Sequence, residues 1–306
     1  MRAATYDSYA GDNSRLKVGE VPDPKVGPGQ VLIEVRAAGV NPVDWKVMAG
    51  GLDALMDTVF PAIPGWDVAG VVRGTGPDTP EFAEGDEVMA YARKDVVGAG
   101  TFAQYVAVAA DHVARRPEAF GWNQAGGLPL AGMTAQRSLD RLQAGPGDVV
   151  LIHAAAGGVG GLAVQIARDR GARVIGTASE RNHGYLRDLG AEPVAYGDGL
   201  AERVRDLAPG GVTAVADFVG GQLDTTLAVL AENGRHVSIA DNTVGEHGGH
   251  WIWVRPSGAK LAELAAMADR GALSVEVTGT YPLERVGEAF DASRGGHTRG
   301  KLVVTP

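Results

Sequence analysis

Apolar and polar positions change rhythm once along the chain. Up to about residue 118, short β-like runs (QVLIEVRAAGV, DVAGVVRG, DEVMAYA, TFAQYVAV) are separated by Pro/Gly turns such as PDPKVGPGQ. That pattern predicts a small antiparallel barrel or sandwich with few helices. From about residue 121 strands alternate with helical periods: VVLIHAA, VGGLAVQIARDRGA, RVIGTAS, RNHGYLRDLGA, PVAY, LAERVRDLA, VTAVADFVG, QLDTTLAVLAENG and RHVSIA. Five strands with helices between them predict right-handed βαβ units and a parallel, doubly wound sheet. After Arg255 come one amphipathic helix, KLAELAAMADRG, and two β-like pieces, VEVTGTYP and GKLVVTP, which fit a return to the first domain.

One tract needs a decision. From Val149 to Ala167 there is no charged side chain, and a bilayer-crossing helix needs roughly 20 apolar residues. Glycines 157, 158, 160 and 161 interrupt it between a His and a Gln, while Val159, Leu162, Ala163, Ile166 and Ala167 fall on one helical face. The tract therefore reads as buried strand, glycine turn and helix, with His153 a core histidine at the strand end.

Composition narrows the class. At 306 residues, 45% hydrophobic and 21% charged, the chain has the profile of a two-domain globular protein. Absence of cysteine removes disulfides, thiolate metal sites and cysteine nucleophiles, and makes a cytoplasmic address the simplest expectation; the polar N-terminus has no apolar stretch resembling a signal peptide. A net charge of −9 without a dense Lys/Arg cluster argues against nucleic acid as partner. Glycine, 45 of 306 residues, is about twice its usual ~7% share, implying many turns or close approaches of backbone to a ligand.

A glycine turn between a buried strand and a helix exposes backbone N–H groups and the positive end of the helix dipole, with no Cβ to block a diphosphate. Its place inside a βαβ unit favours dinucleotide binding over mere tight packing. AAAGGVGGLAVQIA resembles the AxxGxVG cofactor loop of the medium-chain dehydrogenase/reductase superfamily, in its zinc-free quinone oxidoreductase branch. AAGVNPVDWKVMAG (37–50), PGWDVAGVV (64–72), GTFAQYVAV (100–108), LPLAGMTAQRSL (128–139) and GKLVV (300–304) match in order. The resemblance implies a GroES-like, β-rich catalytic domain over 1–118 and 255–306, a Rossmann domain over 119–254, and an active-site cleft between them.

It also implies residue roles. Where zinc alcohol dehydrogenases carry a cysteine ligand this chain has Asn41, and where they carry histidine it has Trp66; neither holds zinc. No metal is expected. Direct hydride transfer to a quinone or an α,β-unsaturated carbonyl is expected instead, in a pocket lined by Trp45, Trp66, Met133 and Trp251, with Asn41, Lys46 and Tyr91 as catalytic candidates. The implied cofactor contacts are Asn41, Thr134, Gly157, Gly158, Val159, Gly160, Ser179, Arg181, Asn182, Tyr196, Val219, Ile239 and Lys301. Several have plainer readings: Asn41-Pro42-Val43-Asp44 is a helix start with Asp44 reaching back as in a capping box, Lys46 a solvated lysine, Trp45 and Trp66 core aromatics, and Thr134 a hydroxyl satisfied within its helix. Trp251 and Trp253 alternate like a half-exposed strand, one for the substrate or dimer surface and one for the core.

The second strand of the Rossmann pattern decides the cofactor. An NAD-preferring domain places Asp or Glu about 20 residues past the glycine turn; here that place is Ala178, followed by Ser179, Arg181 and Asn182. These donors suit a 2′-phosphate, so NADPH is expected. A homodimer paired through the edge of the cofactor sheet is expected too. An alternative of another class is a nucleotide-binding sensor or structural protein, of the zeta-crystallin kind, without turnover.

Overall fold

The computed structural model describes residues 1–306. It divides into two compact units, Met1–Leu130 with Arg255–Pro306, and Ala131–Val254. No helix is long and apolar enough to cross a membrane, in keeping with a strand, turn and helix over 149–169.

The first unit is organised by the strand Gln30–Val40. It pairs antiparallel with Asp67–Thr75, Tyr105–Ala109 and Lys301–Thr305, and Val277–Pro282 adds parallel to Lys301–Thr305. One strand reaches three partners because register shifts at Leu32/Ile33 and Val35/Ala37 bend it, as bulges do. Its inward residues Val31, Ile33 and Val35 alternate with half-buried ones, then Ala37, Ala38 and Val40 are buried without alternation. The strand thus passes from a one-sided to a two-sided environment. The second cover at that end is the helix Trp122–Gly127: a Cβ on Gly126 would stand 2.8 Å from the Ala37 carbonyl oxygen. This helix consequently belongs to the first unit, which runs to Leu130, whereas the family resemblance implies a boundary at 118/119.

The second unit holds a six-stranded sheet, all parallel, in the order Glu192–Ala195, Arg173–Ala178, Val149–His153, Val212–Asp217, Leu230–Ser238, His250–Trp251. Numbered within the unit this is 3-2-1-4-5-6, the doubly wound order that reverses direction between its first and fourth strands. Two local expectations are corrected. The helix expected over 222–234 is only Leu223–Val229, because Leu230 already pairs with Val212 and the chain bulges before Ala214. The Trp251/Trp253 segment contributes a two-residue edge strand, and its two rings stack edge to face, centroids 6.0 Å apart. Both indoles thus lie together, and Ile252 between them is the buried one.

Candidate active site

All strands of the second sheet run the same way and their ends are in register: Ala178 lies opposite Ala195, His153 opposite Asp217, and Asp217 opposite Ser238. The segments following them therefore emerge at one edge. They carry the glycine turn after His153, Ser179 to Asn182 after Ala178, Tyr196 after Ala195, Val219 after Asp217 and Ile239 after Ser238. Residues spread over some ninety positions of sequence thus meet at the carboxyl end of a sheet, beside its switch point, where open α/β sheets bind ligands.

The turn itself is tight. Ala154 has a positive φ of 54°, its N–H is held by Thr177 Oγ1 at 3.1 Å, and its carbonyl accepts from Gly157 N–H at 3.0 Å. The helix Gly160–Asp169 starts so close that a Cβ on Gly160 would stand 2.2 Å from the Ala154 oxygen, so glycine is required there for packing. Within the first turn Gly161 N–H is already taken by the Gly157 carbonyl at 3.0 Å and Ala163 N–H by the Val159 carbonyl at 2.9 Å, so what the turn offers an anion is the positive end of the helix dipole at Gly160, at the sheet edge.

At the end of the second strand Ser179 leads into a 3-10 turn, Glu180–Asn182, without capping it; Asn182 Nδ2 donates to Ser179 Oγ at 3.3 Å. Arg181 is exposed and its side chain makes no ion pair or hydrogen bond within the chain; the neighbouring Glu180 is exposed too, its carbonyl accepting from His183 N–H. Tyr196 and Val219 are exposed as well. Thr134 is buried, yet its Oγ1 has no partner; the reading of a hydroxyl satisfied within its own helix is thereby corrected, since the helix hydrogen bond there belongs to Ser138 Oγ, on the Thr134 carbonyl. Met133 is buried beside it.

His153 and Asp217 face one another across the switch point. Burial depresses the His153 imidazolium to a pKa of about 4, with Asp217 opposing the shift, so the ring is neutral at pH 7. Its Nε2 lies 3.4 Å from Thr226 Oγ1, and Asp217 collects Val219 and Gly220 N–H and Ser238 Oγ–H. Asp217 thus fixes the loop that carries Val219, while His153 touches the helix Leu223–Val229 that follows it.

In the first unit a buried polar cluster appears that sequence reading missed. Asn41 precedes the helix Pro42–Met48 and its N–H donates to Asp44 Oδ2 at 2.8 Å, the expected capping arrangement. Its side chain turns elsewhere: Nδ2 donates to Asp67 Oδ2 at 2.8 Å, and Oδ1 accepts from Lys301 Nζ. Lys301 also donates to the Val40 carbonyl at 2.9 Å, and Asp67 Oδ1 accepts the Leu130 N–H at 2.7 Å. Asn41, Asp44, Asp67 and Lys301 are all buried. Burial pushes Asp44 up to about 8, its Asn41 hydrogen bond opposing, and Asp67 up to about 6, with Lys301 opposing; it pulls the Lys301 ammonium down. Near neutrality Asp67 is therefore ionised while Asp44 keeps its proton, with its Oδ1 without a partner. Asn41 and Lys301, expected at the cofactor, are in the first place members of this cluster, with both ends of the Asn41 amide engaged inside the unit. A charged residue heading the apolar run DVAGVV was the one signal that pointed to Asp67.

The aromatic candidates separate. Trp66 and Tyr91 are buried with ring centroids 6.2 Å apart, and burial raises the Tyr91 phenol, so it stays protonated. Trp45 instead donates its indole N–H to Ser293 Oγ at 3.1 Å and lies under Arg294, so it packs against the helix Val286–Arg294. Lys46 is exposed, its Nζ 5.6 Å from the Trp45 ring centroid. No group of three or more His, Cys, Asp or Glu side chains stands together as a metal site, so the donor set does not fit zinc.

Residues 27–118 match the alcohol dehydrogenase GroES-like domain family, and residues 189–304 the zinc-binding dehydrogenase family. A chloroplastic NADPH-dependent alkenal/one oxidoreductase of Arabidopsis thaliana is 34% identical over 314 residues, spanning 100% of this chain and 80% of that protein. The structure of the quinone oxidoreductase from Coxiella burnetii superimposes with a TM-score of 0.88 at 33% identity, covering 100% of this chain and 99% of that one. A mycobacterial protein solved in complex with NADPH gives a TM-score of 0.86 at 28% identity over 100% of both chains.

Proposed function

Since this chain belongs to the medium-chain dehydrogenase/reductase superfamily, we propose that it is an NADPH-dependent, zinc-independent reductase acting on a quinone or an α,β-unsaturated carbonyl compound. The observation that carries the reading is the convergence, at one sheet edge, of the glycine turn and an unpaired Arg181, together with the unpartnered buried hydroxyl of Thr134. NADPH, when bound, supplies a hydride directly to the acceptor, with no metal or flavin between. The helix N-terminus at Gly160 balances the diphosphate charge, and Ser179, Arg181 and Asn182 supply donors to the 2′-phosphate. Tyr196, Val219 and Ile239 flank the same edge. Thr134 offers its free hydroxyl to the nicotinamide end, with Met133 as apolar surface beside it. Tyr91 keeps its proton and is thus a donor rather than a base.

The deciding experiment follows NADPH absorbance with purified protein and a panel of quinones, alkenals and cyclic enones. Turnover with one class identifies the acceptor; tight NADPH binding without oxidation across the panel would turn the reading into a nucleotide sensor.

Two further results are expected. Metal analysis returns far less than one zinc per chain and activity persists in chelator, because Asn41 and Trp66 occupy the ligand places; activity lost together with a stoichiometric metal refutes this. Light scattering at micromolar concentration gives a dimer mass, the unpaired edge of His250–Trp251 and the exposed Trp251 with its stacked neighbour Trp253 supplying the surface. A monomer mass removes that proposal.

A further inference from the structure

The first unit contains a pocket of about 280 Å³ lined by Gln30, Arg93, Lys94, Asp95 and His112, with an apolar wall of Ala92, Val108, Ala109 and Pro256. One of its donors is left over: the Arg93 guanidinium hydrogen-bonds Tyr91, but its Nε is buried without a partner. Lys94 is half-buried and no carboxylate compensates it, desolvation being the one influence on its ammonium, which it depresses. Gln30 has already committed its carboxamide oxygen to Gly27 N–H at 2.9 Å, so what remains to offer is amide hydrogen. The single carboxylate, Asp95, is exposed and pairs with neither cation.

Buried donors left without acceptors cost free energy unless something supplies the acceptors, and two cations against one carboxylate set the sign of what fits. We propose that this pocket is an oxyanion subsite that receives a carboxylate or phosphate group on Arg93 and Lys94, with the carbon framework against Val108 and Pro256. Its volume lies just under the range of about 300–1,000 Å³ typical of whole-ligand sites, so it takes an anionic head group and the first few carbons. The anion reaches it either as the tail of a substrate or as a free small metabolite. The site is distinct from the 2′-phosphate donors, which belong to the other unit, and its occupancy does not depend on the reductase reading.

The test is calorimetric titration of inorganic phosphate into full-length protein already saturated with NADP⁺, which keeps the nucleotide's own phosphate sites filled. One phosphate per chain is expected, with affinity falling about tenfold or more in Lys94→Met and kept in Lys94→Arg, as loss of a charge-assisted contact implies. Absence of binding, or equal affinity in Lys94→Met, overturns the proposal. If Lys94→Met raises KM for a carboxylate-bearing benzoquinone but not for 1,4-benzoquinone, the anion is a substrate tail. If it leaves both unchanged while phosphate binding is lost, the ligand is a free oxyanion.

Discussion

Lys301→Met is expected to destabilise the protein by about 3–5 kcal/mol at pH 8, the usual cost of leaving a buried charge uncompensated, here the Asp67 carboxylate that Lys301 reaches through the Asn41 amide. Lys301 is the cation against which Asp67 and Asp44 ionise, and it is buried with Val40 and Asn41 as its hydrogen-bond partners. The loss must depend on pH. Asp67 and Asp44 have folded-state pKa values raised to about 6 and about 8 from 3.8. Stability linked to their protonation is fully present below the unfolded value and drains away as pH rises through the folded ones. Lys301 has the opposite shift, lowered from 10.5: its linked stability is present above the unfolded value and lost as pH falls through the folded one. Near pH 5 both carboxylates are neutral and an ammonium buried among them is itself a burden, so methionine there costs little. Urea titrations at pH 5 and pH 8 check this; a loss of the same size at both, or under about 1 kcal/mol at pH 8, refutes the assignment. In Asp44→Asn the fall in stability between pH 6 and 8 is correspondingly shallower.

Arg181→Ala is expected to raise the Michaelis constant for NADPH by about tenfold to a hundredfold and to leave NADH kinetics almost unchanged, since a charged pair with phosphate is worth ~1.5–3 kcal/mol. The guanidinium is exposed, unpaired and next to Ser179 at the end of the second parallel strand. Its exposure lets solvent screen the pair and favours the lower end of that range. Removing it from free protein breaks nothing, so the melting temperature without nucleotide stays put. That separates a binding role from a structural one. Equal effects on both nucleotides, or a wild-type preference for NADH, would show that Ala178 and its neighbours have been misread.

Much of this molecule was legible as pattern. The change from alternating runs to strand and helix periods fixed a β-rich unit followed by a parallel sheet, because side-chain period follows directly from local geometry. The same logic read strand, turn and helix out of the charge-free tract at 149–167, and the capping role of Asp44, which is a contact across three residues. Motif position places Lys46 and Trp45 on the helix Pro42–Met48 but does not say which way each side chain faces.

What the sequence determined by itself was local: element types, the glycine turn, the missing acid at Ala178 and the missing metal donors at 41 and 66. What tertiary structure alone decided was which distant groups share a low-dielectric interior. Asn41, Asp67, Leu130 and Lys301 meet because Lys301–Thr305 returns to pair with the end of Gln30–Val40 and Asp67 begins the strand on its other side. No periodicity announces such a meeting. The cluster's charge state follows from that shared burial, since taking a carboxylate out of water costs more than its one nearby cation returns.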